Sequence, residues 1–274
     1  MALLNIGFHS ETLKMDTGIS VIMPLGQPGL GQECVKKEHY PVLWLLHGRG
    51  DDNTSWVRKT AIERYVSSLG LMVIMPEASY SRYLNMVHGP RFYDYITEEL
   101  PEFCEKLFPK MSRKRADNYI AGLSMGGCGA IWIGLHNPEK YGAICMLSTG
   151  GIAPLEHLWR GKKGIPDPNP TYLKCNKDIY GVEDSNSLED TEYDIIEIIE
   201  KTAKEHSVLP KVYHAMGIED IRYPVAMKLK ETFEGIPGNP YQYEYHEGPG
   251  KHEWVFWDEW INKFLQTLPL KGGR

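Results

Sequence analysis

Six short apolar runs, HYPVLWLLHG (39–48), LMVIMPE (71–77), NYIAGLS (118–124), YGAICMLST (141–149), LPKVYHAMG (209–217) and YQYEYHEG (241–248), recur along the chain with helical spacings between them. Several are apolar on both faces, as a strand must be when helices cover it on each side. Helical spacing occurs at Ile62, Tyr65, Val66 and Leu69, and again at Ile195, Ile196, Ile199 and Ala203. The last such stretch carries Trp254, Trp257, Ile261, Phe264, Leu265 and Leu268 on one stripe, the pattern of a core-facing helix. Strand and helix in alternation predict an α/β fold: a mostly parallel central sheet, right-handed crossovers and helices on both faces.

The first forty residues break the pattern. LLNIGFHSETL and GISVIMP read as two strands joined by a polar turn with no helix between them, so the sheet is predicted to begin antiparallel. RFYDYITEELPEFCEKLF (91–108) reads as a helix in which Pro101 removes one hydrogen bond and produces a kink. Residues 150–190 are rich in Gly, Pro, Asn and Lys and are weakly periodic. That is too long for a connecting loop in a compact domain, and it predicts a small cap insertion. At 274 residues, one large domain spanning 1–274 is expected.

Composition excludes several classes of partner. A net charge of -6 opposes general affinity for nucleic acid, and the densest basic cluster, RKR at 113–115, reads as a solvated turn. No run approaches the roughly 18 apolar residues of a membrane span. The five cysteines, Cys34, Cys104, Cys128, Cys145 and Cys175, are scattered, odd in number and without a C-x-x-C pair, which fits reduced thiols. MALLNIGFHSETL lacks a basic leader followed by a sustained apolar stretch. A cytoplasmic protein without nucleic-acid or membrane partners is expected.

The segment NYIAGLSMGGCGAIWIGLHNP (118–138) places a knot of glycines where an apolar run hands over to a helix. Gly122-Leu123-Ser124-Met125-Gly126 matches G-x-S-x-G, the nucleophile elbow of α/β-hydrolases. A serine at the apex of so sharp a turn needs neighbours nearly free of side chain, and Gly127, Gly129 and Ala130 extend the small surface into the helix. An ordinary tight turn is the competing reading, and the five-residue pattern alone does not exclude it.

A serine hydroxyl needs a base, and the fold dictates the chain order serine, acid, histidine. Of the ten histidines, His206, His214, His246 and His252 lie late enough. His206 falls in a polar helix end, His214 inside an apolar run and His246 within an alternating strand. His252, in the Gly-Pro-Gly-Lys loop before the Trp-rich helix, is favoured over His246. The run VYHAMG leaves Glu219 and Asp220 in the loop that follows; Asp220 is preferred for its short carboxylate, with Glu219 the local rival. Asp184, Asp190 and Asp194 belong to the cap or the helix after it.

Attack on an ester carbonyl also requires two donors for the oxygen. Met125 N–H, directly after the serine, is one candidate; the amide of Arg49, in the HGRGDDNTSW loop, is the other. The Arg49 side chain is expected to face solvent, an acidic substrate group being the alternative, and His47 to hydrogen-bond within its own loop. Tyr80, Tyr83, Tyr93 and Trp159 are candidates to line the cleft and stack on a sugar or cinnamoyl ring, with core or cap packing the competing role.

With these residues in place, the chain resembles the esterase D/tributyrin esterase group of α/β-hydrolases. MALLNIGFHSETLKMDTGISVIMP, YPVLWLLHGRGDDNTSW, YDYITEELPEFCEKLFP, YIAGLSMGGCGA, LPKVYHAMGIED and GPGKHEWVFWDEWI look like that family's blocks, in its order. Relatives include carbohydrate acetyl esterases, feruloyl esterases, S-formylglutathione hydrolases and mycolyltransferases. The resemblance implies an α/β-hydrolase fold and a serine carboxylesterase acting through an acyl-enzyme, with no metal or organic cofactor, and Ser124, Asp220 and His252 at the triad positions. It implies a small-molecule or carbohydrate ester substrate with a short acetyl- or butyryl-type acyl group; feruloyl ester hydrolysis, S-formylglutathione-type thioester hydrolysis and acyl transfer are alternatives on the same triad. Oligomers occur in the family, so a homo-oligomer is compatible with the resemblance. Asp51 stands where many relatives carry glycine.

Overall fold

The computed structural model describes residues 1–25, 35–160 and 170–270. One sheet contains β1 (Ala2–Ser10), β2 (Met15–Met23), β3 (Val42–Leu46), β4 (Met72–Pro76), β5 (Asn118–Leu123), β6 (Ala143–Leu147), β7 (Lys211–Gly217) and β8 (Glu244–Gly248). Its spatial order is β1-β2-β4-β3-β5-β6-β7-β8. β2 runs antiparallel to β1 and to β4, and every other neighbouring pair is parallel.

Strands β3 to β6 are buried at every residue, which is why their sequences show no polar alternation. Their two-residue period sends alternate side chains into two cores. Val42, Trp44, Leu46, Ile120 and Ile144 meet Phe92, Tyr95, Ile131 and Ile199 on one face. Leu43, Leu45, Ala121, Leu123 and Cys145 meet Trp56, Ile62, Trp257 and Ile261 on the other. Both faces of the sheet are therefore covered by helices, and the helix Trp254–Thr267 buries Trp257, Ile261, Phe264 and Leu265 of its expected stripe.

Three local expectations change. The run 241–248 forms a strand only from Glu244; Asn239 and Gln242 take φ of +44° and +46°, and Tyr241 is buried with its hydroxyl donated to Ile199 O at 2.7 Å. Helical spacing from Ile62 to Leu69 yields only Ile62–Val66. The helix around Pro101 is continuous but contains a wider π-helical turn at Tyr95–Glu99 between Phe92–Asp94 and Leu100–Leu107. Pro101 has no N–H for the carbonyl of Thr97, and Lys140 Nζ donates to that oxygen at 3.2 Å. The bond that proline removes is replaced by a side chain, with the π-turn just before it.

Because β3 to β8 are parallel, the loops after β3, β5, β7 and β8 all leave the same edge of the sheet, where open α/β sheets place their ligands. Between β6 and β7 the chain forms the helices Leu155–Leu158, Pro170–Tyr180, Ser185–Leu188 and Ile195–Glu205; residues 161–169 of the expected cap lie outside the described residues. Cys104, Cys128, Cys145 and Cys175 are free thiols, and Cys34 likewise lies outside the described residues. Among the described residues no helix is long and apolar enough to cross a membrane.

His214 lies in the core of β7 with no exposed surface. Its Nδ1 is 2.9 Å from Tyr243 Oη, and its Nε2 has no hydrogen-bond partner among the described residues. Burial, reinforced by the charge of His246, lowers its pKa to about 3. In the unfolded chain the same imidazole takes up a proton near pH 6.5, so the unfolded state binds more protons between the two values. Stability contributed by the neutral buried ring is present above about pH 6.5 and falls as pH drops toward 3, by about 1.4 kcal/mol per pH unit. Urea unfolding between pH 7 and 4 is expected to show this slope, and His214→Gln to flatten it by about one proton.

Candidate active site

Ser124 joins β5 directly to the helix Met125–His136, with φ of +52° and ψ of -113°, a region that residues with a Cβ avoid. It holds the N-cap position, where a serine ordinarily accepts a bond from the first turn of the helix. No such capping bond forms. Instead Ser124 Oγ is 2.9 Å from Nε2 of His252. The flanking glycines permit the turn: a Cβ on Gly122 would stand 2.3 Å from the carbonyl of Gly126, and one on Gly126 would stand 2.4 Å from Leu46 O.

His252 comes from the loop after β8, its ring edge-on to Trp257 with centroids 4.9 Å apart. Its Nδ1 is 2.7 Å from Asp220 Oδ2. Asp220, 3% exposed, also accepts the backbone N–H of Arg222 at 2.9 Å on Oδ1. An ionised carboxylate only accepts, so Nδ1 carries the imidazole proton and Nε2 is left to accept from the serine hydroxyl. The acid and histidine loops meet because Gly217 lacks a side chain; a Cβ there would lie 2.3 Å from Gly250 O. Ile218 N and Glu219 N donate across the gap to Gly248 O and Gly250 O at 3.0 and 3.1 Å.

Burial pulls the His252 pKa below that of an ordinary imidazole; the hydrogen bond to Asp220 opposes this, and the Arg222 charge adds to the lowering. Burial alone would push the Asp220 carboxyl up, yet its bond to His252, the imidazole charge and the N–H and guanidinium of Arg222 hold it below the usual carboxylate value. Both shifts favour the pair in which Asp220 is charged and His252 neutral.

The rival residues are engaged elsewhere. Glu219 and His206 are exposed, His246 stacks on Tyr213 with centroids 4.4 Å apart, and Asp184 and Asp194 cap the helices that follow them.

Met125 is the first residue of its helix, where an N–H has no intrahelical acceptor. Arg49 follows β3 on a loop held at several points. Trp56 Nε1 donates to Leu46 O at 3.0 Å and Tyr83 Oη to His47 O at 2.9 Å. His47 Nε2 accepts the N–H of Ala78 at 3.0 Å, which leaves its Nδ1 protonated and donating to Gly48 O at 2.7 Å. Asp51 binds Lys59 Nζ at 2.5 Å.

Beside Ser124 lies a cavity of about 60 Å³ lined by Met125, Gly151, Trp159, Cys175, Ile179 and three arginines, Arg49, Arg82 and Arg222, with the exposed Tyr80. Tyr80 and Trp159 line this cavity. Tyr83 does not: it is fully buried, its ring lies against Gly129 and its hydroxyl bonds His47 O, so it shapes the Arg49 loop rather than meeting substrate. Tyr93 is engaged by Asn137 Nδ2 at 2.8 Å. Arg82, Gly151, Cys175, Ile179 and Arg222 are lining residues that no sequence motif marks; only Arg222, two residues past the acid, lies within reach of a local signal. Among the described residues no cluster of three His, Cys, Asp or Glu side chains is placed to hold a metal ion.

An eight-stranded, mostly parallel sheet with a serine on a strained strand-to-helix turn, hydrogen-bonded to a histidine that is itself hydrogen-bonded to a buried aspartate, defines a serine hydrolase of the α/β-hydrolase fold. The chain belongs to the Esterase family, described as "Putative esterase", which it matches over residues 10–269, and it is a serine carboxylic ester hydrolase. It is 30% identical over 273 residues to an acetyl esterase of Caldicellulosiruptor saccharolyticus, covering 98% of each chain. A fluorophosphonate-binding serine hydrolase of Staphylococcus aureus is 28% identical with a TM-score of 0.82, covering 98% of both chains. An S-formylglutathione hydrolase of the same organism is 29% identical with a TM-score of 0.80, covering 98% of this chain and 99% of that one.

Two measurements check this geometry. The His252 ring is expected to titrate below pH 6.5 by NMR, and Arg222→Met, which removes a neighbouring positive charge, to raise that midpoint. Gly126→Ala is expected to destabilise the fold by about 3 kcal/mol in denaturant unfolding, because the methyl would overlap backbone atoms that cannot yield.

Proposed function

We propose that Ser124 is the nucleophile, His252 the general base and acid, and Asp220 the group that holds the imidazole's tautomer, in a two-step hydrolysis of short-chain carboxylic esters. The observation that carries this reading is the pair of hydrogen bonds that His252 Nδ1–H donates to Asp220 and the Ser124 hydroxyl donates to His252 Nε2, at 2.7 and 2.9 Å, opening onto a cavity. His252 Nε2 takes the hydroxyl proton as Ser124 Oγ attacks the acyl carbon, and the Met125 and Arg49 amides receive the oxyanion. The imidazolium then protonates the leaving alcohol, and water, deprotonated in turn by His252, releases the acid.

Cavity size supports a small acyl group. An apolar cavity of about 150 Å³ holds one benzene ring, so about 60 Å³ favours acetyl or butyryl over a cinnamoyl group. The acetyl esterase relative points the same way. A second reading, thioester hydrolysis on the same triad, draws on the likeness to the S-formylglutathione hydrolase. Residues 150–190 act in this reading as a cap on a single domain, since Gly151, Trp159, Cys175 and Ile179 all reach the cavity. The four described free thiols support a reducing, cytoplasmic setting.

Ser124→Ala is expected to lower kcat/KM on p-nitrophenyl acetate by about 10⁴-fold or more with an unchanged circular dichroism spectrum; wild-type activity in the variant would remove the assignment. Across p-nitrophenyl esters, kcat/KM is expected to drop at least about tenfold between butyrate and octanoate. Parallel assays of an acetyl oxygen ester and an acetyl thioester decide between the two readings.

A further inference from the structure

We propose that Trp257 is a positioning residue for the second half of the reaction, holding the His252 ring in place while Ser124 carries the acyl group. This rests on the two-step hydrolysis proposed for Ser124, His252 and Asp220. Before substrate arrives the imidazole is held through both nitrogens, Nδ1–H donating to Asp220 at 2.7 Å and Nε2 accepting from the Ser124 hydroxyl at 2.9 Å. Acylation removes the second bond, because Ser124 Oγ has become an ester oxygen with no proton to donate. The Asp220 bond by itself leaves the ring free to swing about that contact, at the stage when Nε2 has to take a proton from water.

His252 lies on the loop after β8, where Gly248 and Gly250 flank Pro249. The bonds this loop accepts from Ile218 N and Glu219 N fix its backbone, not the imidazole. Trp257, on the helix Trp254–Thr267, is 5% exposed and stands across the imidazole at an interplanar angle of 84°, with centroids 4.9 Å apart. A large ring set perpendicular to a smaller one opposes its tilting and keeps water from that side. Trp257 Nε1 has no hydrogen-bond partner among the described residues, so the contact is one of ring against ring. Acylation of Ser124 leaves it in place.

Trp257 is itself braced. Its ring meets that of Trp254 at 84° and 5.2 Å, and Trp254 meets Trp56 at 85° and 5.3 Å. Trp56 is fully buried and anchored by Nε1 to Leu46 O at 3.0 Å, and Lys59 Nζ stands 4.8 Å from the centroid of the Trp254 ring. Perpendicular ring contacts in series thus run from the end of β3 to the general base. With the imidazole held, a proton of water passes to His252 Nε2 as the water oxygen bonds the acyl carbon. The tetrahedral intermediate then breaks its bond to Ser124 Oγ, the proton moves from Nε2 to Oγ, and the carboxylic acid leaves. Misplacing a reacting group by about 1 Å costs up to about 10²-fold. Acylation is less sensitive to loss of Trp257, since the Ser124 hydroxyl still holds Nε2.

Stopped-flow and steady-state hydrolysis of p-nitrophenyl acetate at pH 8 separate the two steps. His252 is neutral there with or without the tryptophan, because burial holds its pKa below that of an ordinary imidazole and exposure returns it toward about 6.5. Trp257→Met is expected to slow deacylation about tenfold or more while kcat/KM, which reports acylation, changes less than about threefold. kcat and KM then fall together, and the burst of p-nitrophenolate grows toward one per enzyme. Trp257→Phe, which keeps a ring at the position, is expected to retain most of the deacylation rate. Trp254→Leu, at the partly buried next ring, is expected to show the same split to a smaller degree, and it decides the question if Trp257→Met does not fold. Unchanged deacylation, or losses in kcat/KM as large as those in kcat, would overturn the proposal. Turnover that Ser124→Ala abolishes would leave the two-step hydrolysis intact in that case, so the two can fail separately.

Discussion

Two hydrogen bonds in series, Asp220 to His252 and His252 to Ser124, tie together three loops that are distant in sequence. Most of the unusual features near the sheet edge follow from making them possible. Ser124 adopts a positive φ and leaves its helix without a side-chain cap. Gly217 and Gly250 let two loops touch along their backbones. Asp220 is charged and almost fully buried, which is tolerable only because His252 and the Arg222 backbone supply donors.

The second constraint is the wall opposite the serine. Arg82, Glu156 and Arg160 form a buried ionic cluster, and Arg82 also bonds Gly151 O and Tyr180 Oη. Removing ions from water is unfavourable, and replacing such clusters with apolar side chains is often neutral or stabilising. A cluster placed here gives the cavity fixed charge and a fixed shape, which apolar packing would not. The same segment sets Trp159, whose Nε1 donates to Gly150 O at 2.8 Å, as a rigid surface under Arg222.

Legibility in the sequence follows the range of the interactions. Strands such as VLWLL and AICML are readable because burial on both faces leaves a continuous apolar run, and the antiparallel opening is readable because no helix separates its strands. The end of β8 is less so: Tyr241 and Tyr243 look like strand residues, but two positive-φ positions and a hydroxyl bonded to Ile199 O place them in a turn. The consequence of Pro101 is half readable, since the missing N–H is local while the Lys140 side chain that replaces it arrives from forty-odd residues away. At the site, Ser124 and the Met125 amide belong to one motif. Tyr83 misleads, because aromatic character alone does not say whether a ring meets substrate or the helix behind the nucleophile.

By itself the sequence determined the layered α/β architecture, the glycine-flanked turn and a short roster of histidines and acids in the required chain order. Periodicity, glycine spacing and chain order are local or ordinal properties, and they survive without coordinates. Which carboxylate faces which imidazole, which aromatics are walls and which are core, and the gathering of Arg49, Arg82 and Arg222 around one hydroxyl were decided only by tertiary structure. Those relations span loops after different strands, and their geometry depends on strand order and close backbone approach, neither of which is written in any one stretch of residues.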